Sequence, residues 1–445
     1  MTHFTGEAYS TGLVILEVWA APTNWRRPVP EPAAAPLAGV LVADFSRVLA
    51  GPLATATLAD LGATVVKVER PGSGDDTRAW GPPFVDGTAA YFDAANRSKH
   101  GITLDLGDPA DAVAARELAL RADVLVENFR PGALARHGLD HAALRAGNPG
   151  LVYCSITGFG GGSPLPGYDF VVQAMGGLMS ITGEAQGPPA KVGVALVDVL
   201  TAKDAVTAIL AALRHRDRTG EGQLVEVNLL SSLLGSLANQ AGGYLATGRA
   251  PRAMGNQHPS IAPYETLRCG PGIGDTGDRD AGLLAVACGN DGQFRALAGA
   301  LGEPGLAADP RFATNPERVR NRPALVAALE RALAADDAAG WQRRLSAVGV
   351  PCGPVNDLAG AFALADELGL GPVAEVGAGR VPQVRSPLRL SATPVRPPVA
   401  PPRLGQHNDA VRAWLAAPPG RPLPPPTGDP TDTSDATDSE CEATP

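Results

Sequence analysis

One acid and a succession of cations carry the chemical interest of this sequence. Asp198 closes the apolar run Val192–Val197, which reads as a strand, and opens a stretch in which Ala202, Val206, Ile209, Leu210 and Leu213 recur at the spacing of one helical face. The expectation is a strand-to-helix junction. A carboxylate at that point is either a helix N-cap, accepting the free N–H groups of the first turn, or a group presented to a ligand. Taken alone, the residue type favours the cap. The cations follow the ends of apolar runs: Arg47 after Val40–Phe45, Arg70 after ATVVKVE, then Arg97, Lys99 and His100, then Arg130 and Arg136 in ENFRPGALARHG. Any one of these is explained by a solvated surface. Their recurrence at strand ends, where doubly wound sheets bind ligands, points to an anion.

Several chemistries are excluded by what is missing. A dinucleotide site needs G-x-G-x-x-G between the first strand and its helix, and that loop reads SRVLAGP instead. Gly158, Gly160, Gly161 and Gly162 follow a strand, but Pro164 and Pro166 come next, where a phosphate-binding helix would have to start. Five cysteines stand far apart with no Cys/His ligand spacing, so no metal site is expected, and reduced thiols in a cytoplasmic protein are. A formal net charge of −9 argues against a nucleic-acid partner. No apolar run is long enough to span a bilayer, so no membrane partner is expected. The segment GLVILEVWAAP lacks a preceding Lys or Arg and is interrupted by Glu17, which argues against an export signal.

The elements that must position these residues fall in a clear order. Strand, helix (Pro52–Leu61, with proline first) and strand ATVVKVER make a βαβ unit, so the two strands should be parallel. A helix at Ala110–Ala122, the strand at Val124–Val126 and the strand LVYCSITGFG continue the pattern. We expect an N-terminal extension outside the fold at 1–36, a large domain at 37–228, a connection at 229–251, a small α/β domain at 252–350, a return to the large domain at 351–417, and a disordered tail at 418–445. Within these, GQLVEVNLLSSLLGSLANQAGGYL reads as a strand and a buried helix, and SPLRLSATP reads as strand-like.

In collinear order the chain carries DFSRVLAGP, ADLGATVVKVERPGSGDDTR, NRSKHGITLDL, ADVLVENFRPGALARHGL, GYDFVVQAMGG, PPAKVGVALVDV, RTGEGQLVEV, GNQHPSIAPYET and GVPCGPVND. This series resembles the class III CoA-transferases, the family of formyl-CoA and carnitine CoA-transferases, from Leu37 to about Leu415. The resemblance implies a Rossmann-like large domain with a smaller α/β domain, and a homodimer whose two chains are threaded through each other. It also implies exchange of CoA, the one cofactor expected, between an acyl-CoA and a free carboxylic acid through a covalent aspartate, here Asp198. Carried over residue by residue, Arg47, Val48, Ala50, Arg70, Leu104, Asn128, Phe129 and Arg136 fall on CoA-contacting positions, and Tyr168 falls on an active-site tyrosine. Asp169 matches a family acid without an assigned role. Leu49 stands where the formyl-CoA enzyme has a glutamine, and CGPGIGDTGDRDAG has no clean tetraglycine loop; both argue against formate and oxalate as substrates. The alternatives are an acyl-CoA racemase of the same fold family, whose histidine is replaced here by Tyr168, and a non-catalytic CoA-binding protein, against which Asp198 speaks.

Overall fold

The computed structural model describes residues 35–270, 282–377, 379–424 and 426. The expected N-terminal extension up to residue 34, the glycine- and aspartate-rich loop at 271–281 and the tail from residue 427 lie outside the described residues.

Six short strands, β1 (Leu41–Asp44), β2 (Thr64–Glu69), β3 (Lys99–Thr103), β4 (Val124–Glu127), β5 (Val152–Thr157) and β6 (Leu224–Asn228), form one sheet in the order β3-β2-β1-β4-β5-β6. Every neighbouring pair is parallel. Strands of this kind are buried on both faces, and the pleat divides their side chains between two cores. Val42, Val65, Val124, Val126 and Cys154 meet helix α1 (Ala50–Asp60) and the long helix that follows Ala195. On the other face, Ala43, Val66, Ile102 and Leu125 meet α2 (Pro109–Arg121). The strand order reverses between β1 and β4, so the loops leaving their C-terminal ends part and open a crevice there. Both loops carry expected site residues.

A short helix, α3 (Asp169–Met175), and the 24-residue α4 (Leu196–Thr219) complete the first face. Helix α4 begins before Asp198, and Val192–Ala195 is irregular. The expected strand over Val192–Val197 is therefore not formed, because the Val192 amide donates to the Gln173 side chain at 2.9 Å. Asp198 is accordingly the third helical residue and no N-cap; Ala195 holds that position and has no capping side chain. Pro52 is likewise third in α1 rather than first. The stretch after β6 forms two helices, and the second, Ala238–Thr247, buries none of its residues.

A three-stranded antiparallel sheet of β7 (Tyr264–Arg268), β8 (Leu283–Ala287) and β9 (Cys352–Pro354) organises the smaller α/β unit. Its core holds Phe294, Phe312 and Trp341. No strand forms over Ser386–Pro394. The chain returns instead as an irregular strap along the outer edge of β3. Ser98 N–H donates to the Val399 carbonyl at 2.9 Å and Gly101 N–H to His407 Nδ1 at 3.0 Å, while Thr103 N–H donates to Asn408 Oδ1 at 2.8 Å. Helix α5 (Asn408–Ala416) then packs beside α2, and Leu423 is buried in the second core.

Candidate active site

Two cavities meet at Asp198. The larger, about 840 Å³, is walled by Arg47, Asn128, Phe129, Arg130 and the loop Thr157–Tyr168. The smaller, about 610 Å³, is walled by Trp80, Tyr91, Phe170, Val194 and Val199, with Lys191 also in its lining. Val48, Leu49, Tyr168, Asp169 and Asp198 line both. Asp198 itself is only 9% exposed, so it is a largely desolvated acid in the partition between two openings.

The partition is built from three loops, two of them fixed by polar groups and one by a close backbone approach. After β1, Val48 adopts φ +69°, a left-handed conformation that is costly for a β-branched residue and persists only where its surroundings hold it. They do so from four sides. Asn128 accepts from the Arg47 amide at 2.8 Å and donates to the Arg47 carbonyl at 2.7 Å. The Asp75 carboxylate accepts from the Val48 amide at 3.2 Å, and Lys67 donates to both Asp75 and the Ser46 carbonyl at 3.0 Å. Asp44 accepts from the Ser46 amide at 3.0 Å and from Lys99 at 2.9 Å. Burial opposes the charge on Asp44, but Lys99 and Lys67 beside it outweigh that cost and hold its carboxyl down at about 2.

The second loop is glycine-rich. Gly158 and Gly167 pass so close that a Cβ on Gly158 would come within 2.3 Å of the Gly167 Cα, so the loop is pinched at its neck and only glycine fits. The third loop precedes Asp198. Gln173 donates to Asp169 at 2.7 Å and to the Val194 carbonyl at 3.2 Å, and Asp169 in turn accepts from the Val197 amide at 3.2 Å. Asp169 thus supplies from α3 the capping acceptor that Ala195 lacks. Burial, and after it the nearby Asp169 charge, push the Asp198 carboxyl up to about 7.

Arg47, Val48, Ala50, Asn128, Phe129, Tyr168 and Asp198 are brought together around the larger cavity. The Arg47 guanidinium lies 5.0 Å over the Phe129 ring and 3.7 Å from Asp76, and its Nε is buried without a partner among the described residues. Asn128 spends its amide on the Arg47 backbone, so it braces the wall. Arg70, Leu104 and Arg136 stand apart from the cavity lining. Arg70 is paired with Asp76, Arg136 is exposed on the turn Ala135–His137, and Leu104 is 2% exposed inside the second core. Arg130, one of the cations after strand ends, does line the larger cavity, whereas Trp80, Tyr91 and Lys191 had no signal in the sequence.

The arrangement offers an ionisable, water-poor carboxylate between a cationic, glycine-walled cleft and an apolar one. No group of three or more His, Cys, Asp or Glu residues suited to a metal ion occurs among the described residues. Residues 37–408 match the sequence model of CoA-transferase family III. The chain is 45% identical over 397 residues to the succinate–glutarate CoA-transferase of Agrobacterium fabrum, covering 85% of this chain and 96% of that protein. It is 40% identical over 389 residues to the acetyl-CoA:oxalate CoA-transferase of Acetobacter aceti, covering 86% of this chain and 96% of that one. A crystal structure of a CAIB/BAIF family protein from Brucella suis superposes with a TM-score of 0.76 at 45% identity, over 86% of this chain and all of that one.

Proposed function

The chain belongs to the class III CoA-transferases and is an enzyme that moves CoA between carboxylic acids, and we propose that it does so by covalent catalysis on Asp198. The observation that carries this reading is that Asp198 lines both cavities. The larger cavity takes the CoA thioester, with Arg47 and Arg130 toward phosphate and Phe129 beside the pantetheine or adenine. Arg70 and Arg136 are outer contacts for the nucleotide end. The unpartnered Nε of Arg47 fits an anion at that position.

In the first step an Asp198 carboxylate oxygen attacks the thioester carbonyl carbon. The C–S bond breaks, CoA leaves as its thiolate, and a mixed anhydride remains on Asp198. The thiolate then attacks the Asp198 Cγ, releasing the first acid as its carboxylate and leaving an aspartyl-CoA thioester. The acceptor carboxylate repeats both steps in reverse order, which yields the new acyl-CoA and restores Asp198. No proton is gained or lost, so the site needs donors for each oxyanion and exclusion of water rather than a general base. We assign that task to the pinched glycine loop and Tyr168, which line the same cavity as Asp198.

We place the free acid in the smaller cavity. Apolar walls suit a short methylene chain, and Lys191 is the cation on that side, suited to a second carboxylate. This favours short dicarboxylates, in keeping with the names of the relatives. Oxalate, disfavoured in the sequence by Leu49 and by the missing tetraglycine loop, is within that class, since a 40% identical protein is named for it. The reading includes a cytoplasmic location, supported by four free cysteines among the described residues. It also includes an interlocked homodimer, supported by the strap that closes back onto β3 and by exposed Leu245, Leu358 and Leu368.

The test is to incubate the protein with succinyl-CoA, add hydroxylamine, and map the product by peptide mass spectrometry. Conversion at Asp198 is expected. Turnover with no modification there overturns the covalent route.

A further inference from the structure

Asp169 makes no hydrogen bond to Asp198, yet its carboxylate holds the residue immediately before it and a glutamine that braces the segment leading to it. It is 8% exposed and sits at the first position of α3. Its carboxylate accepts from Gln173 Nε2 at 2.7 Å and 3.2 Å, and from the Val197 amide at 3.2 Å. Gln173, 1% exposed, extends the hold to the Val192 amide and the Val194 carbonyl. The segment leading into Asp198 is therefore secured from outside its own helix, at the residue immediately before the nucleophile.

Resting on the covalent reading above, we propose that Asp169 is a positioning residue for Asp198: it fixes the start of α4, and its negative charge favours the forms of Asp198 that carry none, the anhydride and the thioester. The physical reason is asymmetric. A free Asp198 carboxylate is a second negative charge in a space with little water, and acylation removes that charge while leaving Asp169 in place. Acylation of Asp198 is thereby helped, because part of the repulsion in the starting state is released. The same repulsion, after burial, raises the Asp198 carboxyl.

Other ionisable groups share the two cavities: Arg47, Asp76 and Arg130 on the CoA side, Tyr91 and Lys191 on the acid side, and Tyr168 on both. Asp169 is the charge that acts against Asp198. Burial and the charges of Asp198, Asp169 and Asp75 keep the Tyr91 phenol protonated, so it does not add to that charge near neutral pH.

The test uses the full-length enzyme and Asp169→Asn. With succinyl-CoA and succinate at a fixed ratio, intact-mass spectrometry reads the fraction of protein carrying the CoA thioester, and kcat/KM is followed against pH. Asn retains an oxygen for the Val197 amide but no charge. The expected results are an acid limb displaced downward by about one pH unit and an equilibrium constant for thioester formation about tenfold smaller. A merely structural role would lower activity without moving either. An unmoved limb together with an unchanged thioester fraction overturns the proposal. If the variant does not fold, Gln173→Leu decides: it keeps the Asp169 charge and removes the glutamine's holds on Asp169, Val192 and Val194, so kcat should fall while the limb does not drop, and a limb displaced downward overturns it. Absence of any adduct in the unsubstituted enzyme, with the limb still displaced by Asp169→Asn, would locate the fault in the covalent reading and overturn the intermediate-favouring half of the proposal.

Discussion

Lys67 Nζ lies 3.0 Å from the Asp75 carboxylate with both side chains fully out of solvent, and the same carboxylate holds the amide of Val48. A buried ion pair therefore supports the strained loop in the partition between the two cavities. Removing one partner leaves the other charge buried and uncompensated. Lys67→Met should cost about 3–5 kcal/mol in urea unfolding. The double variant Lys67→Met/Asp75→Asn should recover a large part of that loss, because no lone charge remains. A single variant as stable as the parent would contradict the assigned support.

Asp198→Asn should abolish transfer and yet make the protein more stable at alkaline pH. The folded carboxyl keeps its proton up to about pH 7, whereas an unfolded aspartate gives it up near 3.8. Between those values the folded state binds more protons, so stability falls as pH rises through the window, and the full cost stands above pH 7. Asparagine never ionises. Denaturant unfolding at pH 8 should favour the variant by on the order of 2–4 kcal/mol, with the gap closing toward pH 4. A variant less stable at pH 8 would mean that Asp198 is better solvated than its surroundings indicate.

The same group sets the rate profile of the parent enzyme. Only the carboxylate attacks, so kcat/KM should climb with pH and level off above about 7. A plateau already reached at pH 5 would be incompatible with the raised carboxyl.

Lys191→Met should raise KM for succinate or glutarate about fivefold, the scale of an accessible ion pair, with kcat nearly constant. A monocarboxylate acceptor of similar length should be unaffected. Equal effects on both would remove Lys191 from recognition of the second carboxylate.

Light scattering should find a dimer, twice 45.5 kDa, that persists on dilution to nanomolar concentration, since linked chains cannot part without unfolding. An active monomer at any concentration would exclude the threaded arrangement.

Asp198 was legible in the sequence because an apolar run and a helical periodicity meet there, and because PPAKVGVALVDV matches a family motif. Its true position was not. The acceptor that caps α4 comes from Asp169, 28 residues earlier in the chain, and local pattern cannot show a cap supplied from another helix. For the same reason Val192–Val197 imitates a strand although its first amide goes to a side chain. Lys99, read with the cations that follow strand ends, is instead the first residue of β3 and is fully buried against Asp44, as Lys67 within β2 is against Asp75, because these strands are covered on both faces. Leu104 followed a strand end, the right place for a ligand contact, yet its side chain turns into the second core.

The strap over β3 bears on how the protein is made. Strand β3 is one of the two edges of the parallel sheet, and its outward amides at Gly101 and Thr103 are taken by His407 and Asn408, some three hundred residues later. During synthesis from the N-terminus, that edge stays open while nearly all of the chain emerges, and an open edge is a template for pairing with other chains. That edge can therefore be closed only once His407 and Asn408 have been made, long after the strand that they cover.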